Sequence, residues 1–267
     1  MTATTLTVLG RRLAAAKSSG RAALVGYLPV GYPDVPTSIQ ALVALAENGA
    51  DVIEIGVPYS DPGMDGPTIQ AAVDPAVKAG VGLPDVFAAV AAVAATGAAP
   101  VVMSYWNPID HYGVERFSAQ LAAAGGSGTI TPDLIPDEAA DWLAATDAHQ
   151  LDRVFLVAPS STEARLRSTT AACRGFVYAA STMGVTGART QVGAAARQLV
   201  ARVRAVSDIP VCVGLGVCTA EQAAEIGEFA DGVIVGSALV RRLLESPDAA
   251  GVRAVGELTA ALRAGLG

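Results

Sequence analysis

Lysine occurs at only two positions, Lys17 and Lys78, and histidine at only two, His111 and His149. Both lysines fall in segments with helical patterning, so no lysine stands at a strand end where a Schiff base could form. The histidines are far apart in the chain, which argues against a metal-assisted aldol site. Cys173, Cys212 and Cys218 are too few and too scattered for a disulfide framework or a zinc site. Their odd number, without a positively charged, apolar leader at the start, leads us to expect a reducing cytoplasm. Basic charge is also short. Lys+Arg is 18 against Asp+Glu 25, a net charge of −7, with an isoelectric point near 4.8. That excludes the basic face a nucleic-acid partner requires. No G-x-S-x-G elbow, no P-loop and no G-x-G-x-x-G after the first strand pattern is present.

Aromatic residues are 5% and charged residues 16%, yet 52% of the 267 residues are hydrophobic and 54 are alanine. The mean hydropathy of +0.43 raises the question of a membrane. The longest charge-free stretch, Val86 to Ile109, is long enough to span a bilayer. Its content is mostly alanine and valine, and Gly97-Ala98-Ala99-Pro100 interrupts it. It reads as an amphipathic helix, a turn and a buried strand. A chain of this length buries roughly three quarters of its unfolded surface and needs no covalent staples. We expect one domain over 1–267.

Short apolar runs rich in β-branched residues recur at Ala23–Leu28, Val52–Gly56, Val101–Tyr105, Gly128–Thr131, Val154–Val157, Gly175–Ala179, Val211–Leu215 and Gly232–Val235. Most are apolar throughout, as strands covered on both faces of a parallel sheet are. Helical spacing fills the intervals: Ile39, Leu42, Val43 and Ala46 form one stripe, and Leu199, Val200 and Val203 another. Eight strand–helix units without a linker predict an α/β fold, a closed (β/α)8 (TIM) barrel. A doubly wound open sheet is the alternative. Thr4–Lys17 reads as an extra N-terminal helix closing the barrel bottom. Thr68–Lys78 and Pro84–Ala95 both fall between the second and third strands, so one of them is additional to the minimal barrel.

In such a barrel, chemistry collects where the strands end. In Val52-Ile53-Glu54-Ile55-Gly56, alternation puts Val52, Glu54 and Gly56 on one face and the isoleucines on the other. Glu54 therefore points into the barrel. A buried carboxyl needs a cationic partner, or carries a raised pKa suited to proton transfer. No basic residue stands at any of the eight strand ends, which weakens the structural alternative. The loop that follows, Val57 to Pro67, is shaped by three prolines and two glycines and carries Asp61 and Asp65. An Asp-Gly pair alone is an ordinary turn former. Its interest comes from Glu54 upstream. Gly214-Leu215-Gly216 and Gly236-Ser237 end the seventh and eighth strands, where barrels often bind phosphate on backbone amides and a helix N-terminus. Small residues there could equally relieve crowding. Ser181 to Gly187, polar and glycine-hinged, suits a lid.

Together these residues resemble the tryptophan synthase α subunit family. The likeness is carried by Glu54-Ile55-Gly56-Val57-Pro58-Tyr59-Ser60-Asp61-Pro62 with Asp65-Gly66-Pro67-Thr68-Ile69-Gln70, by Gly184-Val185-Thr186-Gly187 and by Gly236-Ser237. It extends from about residue 4 to the end. It implies a lyase of tryptophan biosynthesis that cleaves indole-3-glycerol phosphate by a retro-aldol step. It also implies no cofactor in this chain, and a β subunit holding pyridoxal phosphate in an α2β2 tetramer. By the same resemblance Glu54 is the proton shuttle and Asp65 the carboxylate that accepts the indole N–H. Tyr178 lies near the catalytic glutamate, and Tyr27 and Tyr105 line the indole pocket. Gly187, Gly214, Leu215, Gly216, Gly236 and Ser237 hold phosphate, while Thr186 orders Asp65 on lid closure. Pro58, Asp61 and Pro62 face the β subunit. Gly63-Met64 departs from the family's more usual leucine-alanine. Another phosphate-binding barrel enzyme, of sugar-phosphate or histidine-pathway type, is the alternative. A barrel kept only to activate a β partner is the non-enzyme one.

Overall fold

A computed structural model describes residues 6–180, 189–214 and 216–267, with side chains from 193 onward in the middle stretch. The chain opens with α1 (Val8–Ser18), β1 (Ala23–Pro29), α2 (Val35–Glu47) and β2 (Val52–Gly56). Then come α3 (Pro67–Lys78), α4 (Leu83–Ala95), β3 (Ala99–Met103), α5 (Trp106–Tyr112), α6 (Val114–Ala123) and β4 (Gly128–Ile130). A 3-10 turn at Pro136–Glu138 leads to α7 (Ala140–Ala148), β5 (Asp152–Val154), β6 (Leu156–Val157), α8 (Glu163–Ala172) and β7 (Val177–Ala180). The last elements are α9 (Arg189–Arg204), β8 (Val211–Gly214), α10 (Ala220–Gly227), β9 (Gly232–Val235), α11 (Ser237–Glu245) and α12 (Ala249–Gly265).

Every pairing is parallel, in the order β5-β4-β3-β2-β1-β9-β8-β7-β6. The two ends of that order are consecutive in the chain, joined only by Phe155. The predicted fifth strand is therefore one segment in two halves. Its first half pairs with β4 and its second with β7. The sheet closes on itself, and the architecture is the expected TIM barrel rather than an open doubly wound sheet.

Alternation sorts the side chains into two cores. Ala23, Val25, Val52, Ala99, Val101, Ile130, Val154, Cys212 and Ile234 fill the interior together with Leu9, Leu13 and Ala16 of α1. The first helix thus plugs the bottom, as expected. The other face of each strand packs on the outer helices through Leu24, Leu28, Ile53, Ile55, Val102, Val211, Val213, Val233 and Val235. Each fully buried Val, Leu or Ile contributes about 1.5–3 kcal/mol to such a core. The alanines serve this layer: Ala41 of α2, Ala72 of α3, Ala89 of α4 and Ala196 of α9 are buried against it.

The third and sixth strands depart from their expected bounds. The third strand runs Ala99–Met103 rather than Val101–Tyr105, so Pro100 lies inside it and Tyr105 caps α5. Pro100 gives the ladder no N–H, but its carbonyl accepts the Ser127 N–H just before β4 begins. The sixth predicted strand starts at Val177, since Gly175 takes φ +84 and turns the chain instead. The helical interval between β3 and β4 holds two helices, broken at Gly113 with φ +95. Both helices anticipated between β2 and β3 are present. They bend by 118° at their junction, and among the described residues no single helix is long and apolar enough to cross a membrane.

At the bottom face, Asp51 holds β2 to β1. Its carboxylate accepts from Arg21 Nη1 at 2.6 Å, Arg21 Nη2 at 2.7 Å and the Leu24 amide at 2.9 Å. Both side chains are nearly enclosed. Asp51→Ala leaves the guanidinium buried without its partner. We expect urea unfolding to show a loss of about 3–5 kcal/mol, with no loss of the top-face chemistry. Asp51→Asn, which keeps an acceptor for Leu24, should lose less.

Candidate active site

A cavity of about 430 Å³ opens at the C-terminal ends of the strands. Its floor and walls come from successive barrel positions: Tyr27 of β1, Glu54 of β2, Met103 of β3, Leu156 of β6, Tyr178 of β7 and Ile234 of β9. Glu54 sits in register between Tyr27 and Val101, so all three project inward as alternation required. Asp65 and Thr68 close one side, and Gly214, Gly216, Gly236 and Ser237 the other.

Glu54 is 2% exposed, and its Oε2 has no hydrogen-bond partner. Burial, followed by the charge of Asp65, pushes its pKa up to about 8. No Lys, Arg or His lines the cavity among the described residues. The carboxyl is therefore protonated at neutral pH, a proton donor against an apolar wall.

Asp65 is placed by its loop. It stands just before Gly66, the cap of α3, with Pro67 in the first turn, where a fixed φ suits a helix start. Gln70 Nε2 donates to the Asp65 carbonyl at 2.7 Å. Tyr105 Oη accepts Met64 N–H at 2.9 Å and donates to Asp65 Oδ1 at 3.3 Å. Burial raises the Asp65 pKa and the Tyr105 hydrogen bond opposes that rise.

Gly56, at the end of β2, and Gly214, in the cavity wall, are dictated by tyrosines. A Cβ on Gly56 would come within 2.8 Å of Tyr27 Cε2, and one on Gly214 within 2.9 Å of Tyr178 Cζ. Gly214 thus relieves crowding, whatever else its backbone binds. Burial raises the pKa of both phenols, with Glu54 adding to each, so they stay neutral and serve as apolar faces with a hydroxyl tip. Across the cavity, α11 starts at Ser237 with a glycine cap and no side-chain cap bond. Gly236 and Ser237 line the cavity, so the positive end of this helix dipole stands at its edge, which suits an anion.

Among the expected site residues, Glu54, Asp65, Tyr27, Tyr178, Gly214, Gly216, Gly236 and Ser237 meet at this one cavity. Tyr105 stands behind the loop and is absent from the lining. Pro58 is buried, Pro62 half-buried and Asp61 exposed, its carboxylate accepting from Ser60 Oγ at 2.6 Å. Thr186, Gly187, Leu215 and the lid segment 181–187 lie outside the described residues. Met64, Ile69, Met103, Leu156 and Ile234 line the cavity without having been singled out. Alternation from Val154 and Gly232 would have found Leu156 and Ile234; Met64 carries no such signal. Among the described residues no group of three or more potential ligands could hold a metal.

The raised Glu54 pKa has a stability consequence. The folded state holds this proton more tightly than the unfolded chain, so its contribution is full below about pH 4.5 and is lost as pH rises through about 8. Glu54→Gln removes that loss. In urea titrations the Gln variant should gain on the parent between pH 5 and 9, on the order of a few kcal/mol. Parallel curves across that range would contradict a desolvated carboxyl.

The profile of the family described as "Tryptophan synthase alpha chain" matches residues 13–262. A tryptophan synthase alpha chain of Mycobacterium avium (strain 104) is 62% identical over 258 residues, spanning 97% of this chain and 94% of that one. Among solved structures, M. tuberculosis tryptophan synthase in its aminoacrylate-bound form superposes with a TM-score of 0.90 at 56% identity, covering 98% of this chain and 100% of that chain. The alpha chain of Legionella pneumophila subsp. pneumophila superposes with a TM-score of 0.89 at 30% identity, covering 98% of both.

Proposed function

The chain belongs to the tryptophan synthase alpha chain family, and from that premise we propose that Glu54 and Asp65 carry out its lyase reaction. That reaction cleaves indole-3-glycerol phosphate to indole and D-glyceraldehyde 3-phosphate. Family membership displaces the sugar-phosphate and histidine-pathway alternatives. The observation that supports the roles best is a desolvated carboxyl, its Oε2 without a hydrogen-bond partner, lining the same cavity as a second carboxyl.

Protonated Glu54 gives its proton to indole C3, leaving an iminium-like ring whose N–H points at Asp65. Asp65 accepts that hydrogen bond and offsets the positive charge. Glu54, now a carboxylate, takes the proton from the adjacent glycerol hydroxyl. The carbon–carbon bond then breaks, its electron pair returns to the ring, and the hydroxyl carbon becomes the aldehyde. Glu54 ends protonated, so the cycle closes without a cofactor in this chain. Tyr27, Tyr178, Leu156 and Ile234 supply apolar walls for the ring. Gly236 and Ser237 offer amides to the phosphate, with Gly214 and Gly216 lining the same cavity; Leu215 and Gly187 take the further phosphate-binding roles, and Thr186 the ordering of Asp65, that the family resemblance implies.

The partner is a β subunit carrying pyridoxal phosphate, in an α2β2 tetramer facing the loop of Pro58, Asp61 and Pro62. Met64 and Ile135 are exposed hydrophobics on the loops after β2 and β4, at 48% and 39%, which suits a covered face. The compartment is the cytoplasm, and 1–267 acts as one domain.

Indole release, followed with and without a β subunit, tests these roles. Glu54→Gln should lower kcat about a thousandfold or more while a substrate analogue still binds. Appreciable turnover by that variant would sink the shuttle. Asp65→Asn should lower kcat/KM about ten- to hundredfold. The parent's rate should fall as pH rises through about 8, where Glu54 loses its proton.

A further inference from the structure

Family likeness puts Tyr105 in the indole pocket wall, yet the cavity is lined without it. Tyr105 borders the cavity through Met64 and Asp65, both of which line it. It is 7% exposed, and its ring leans on Tyr59 at 5.3 Å between centroids and 32° between planes. Its backbone caps α5, where the Trp106 amide donates to both Asp133 oxygens, at 2.9 and 3.1 Å. From this fixed point its hydroxyl reaches two consecutive residues of the catalytic loop, Met64 and Asp65. The loop's other side-chain tie at this point is Gln70 Nε2 to the Asp65 carbonyl. Gly63 and Gly66 stand in open space, where even a Cβ would meet nothing within 4 Å.

We propose that Tyr105 is a positioning residue for Asp65, tying the Met64–Asp65 segment to the end of β3 and occupying Asp65 Oδ1 so that Oδ2 is left to the substrate nitrogen. The proposal rests on the role given to Asp65 above. The other titratable groups facing Asp65, among the described residues, are Glu54 and Tyr27 on the barrel wall. Neither is a cation. Asp133 faces Tyr105 from the loop after β4. The phenol is therefore the side-chain donor that favours an ionised Asp65, and an ionised Asp65 is what a positive ring nitrogen requires.

Tyr105→Phe in the full chain keeps the ring and its stacking on Tyr59 and removes only the hydroxyl. Indole release should fall about ten- to hundredfold in kcat/KM. The acid limb of its pH profile should move up by as much as about one unit, because Asp65 loses the donor that holds its proton off. Added to Asp65→Asn, the same change should cost no more than about twofold, since the carboxylate whose ionised form the hydroxyl favours is already gone. An unmoved acid limb, or an undiminished loss in the Asp65→Asn background, overturns the positioning role. Asp65→Asn turning over at the parental rate overturns the assignment of Asp65 itself, a different result from either of these.

Discussion

A parallel sheet that closes on itself leaves every second side chain of every strand inside a space water does not enter. The rest of this molecule answers to that constraint. The lower interior is filled by Val25, Val52, Val101, Ile130, Val154 and Ile234, and α1 seals it from below with Leu9, Leu13 and Ala16. Closure itself depends on one residue. Phe155 carries the chain from a half-strand bonded to β4 into a half-strand bonded to β7. Its amide meets Cys173 Sγ at 3.4 Å and its carbonyl accepts the Tyr178 amide at 3.1 Å.

The same enclosure makes the chemistry. One turn of alternation above Val52, the inward position holds a carboxyl instead of a methyl group. Out of water and without a cation, Glu54 keeps its proton to about pH 8. A surface glutamate would have lost it near pH 4.5, and a salt-bridged one lower still. Desolvation, an expense to the fold, is the property a general acid needs. The bottom of the barrel shows the opposite choice. There Asp51 is buried with a guanidinium and a backbone amide, and its environment serves stability alone.

Space above Glu54 is divided between tyrosines and glycines. Tyr27 and Tyr178 can stand upright only because Gly56 and Gly214 lack a side chain. Asp65 is not on the barrel at all. It arrives on a proline-shaped loop and is fixed from outside by Tyr105, which in turn is anchored through the Asp133–Trp106 contact. The proposed catalytic pair thus combines a carboxyl set by a strand with one set by a tether.

Much of this was legible in the residues. Period-two alternation is a local property, so Val52, Glu54 and Gly56 had to share a face, and eight apolar runs favoured a barrel over the open-sheet alternative. The absence of lysine and paired histidines left carboxylates as the available tools. What alternation cannot state is which strand a given residue pairs with. That is why the fifth strand's split at Phe155, the two-residue shift of the third strand and the starting point of the sixth emerged only from the ladder hydrogen bonds. The role of Gly214 and the placement of Tyr105 were decided the same way, by neighbours distant in sequence. A carboxyl's face is fixed by the backbone on either side of it; its proton affinity and its partners are fixed by whatever the closed barrel brings within a few ångströms.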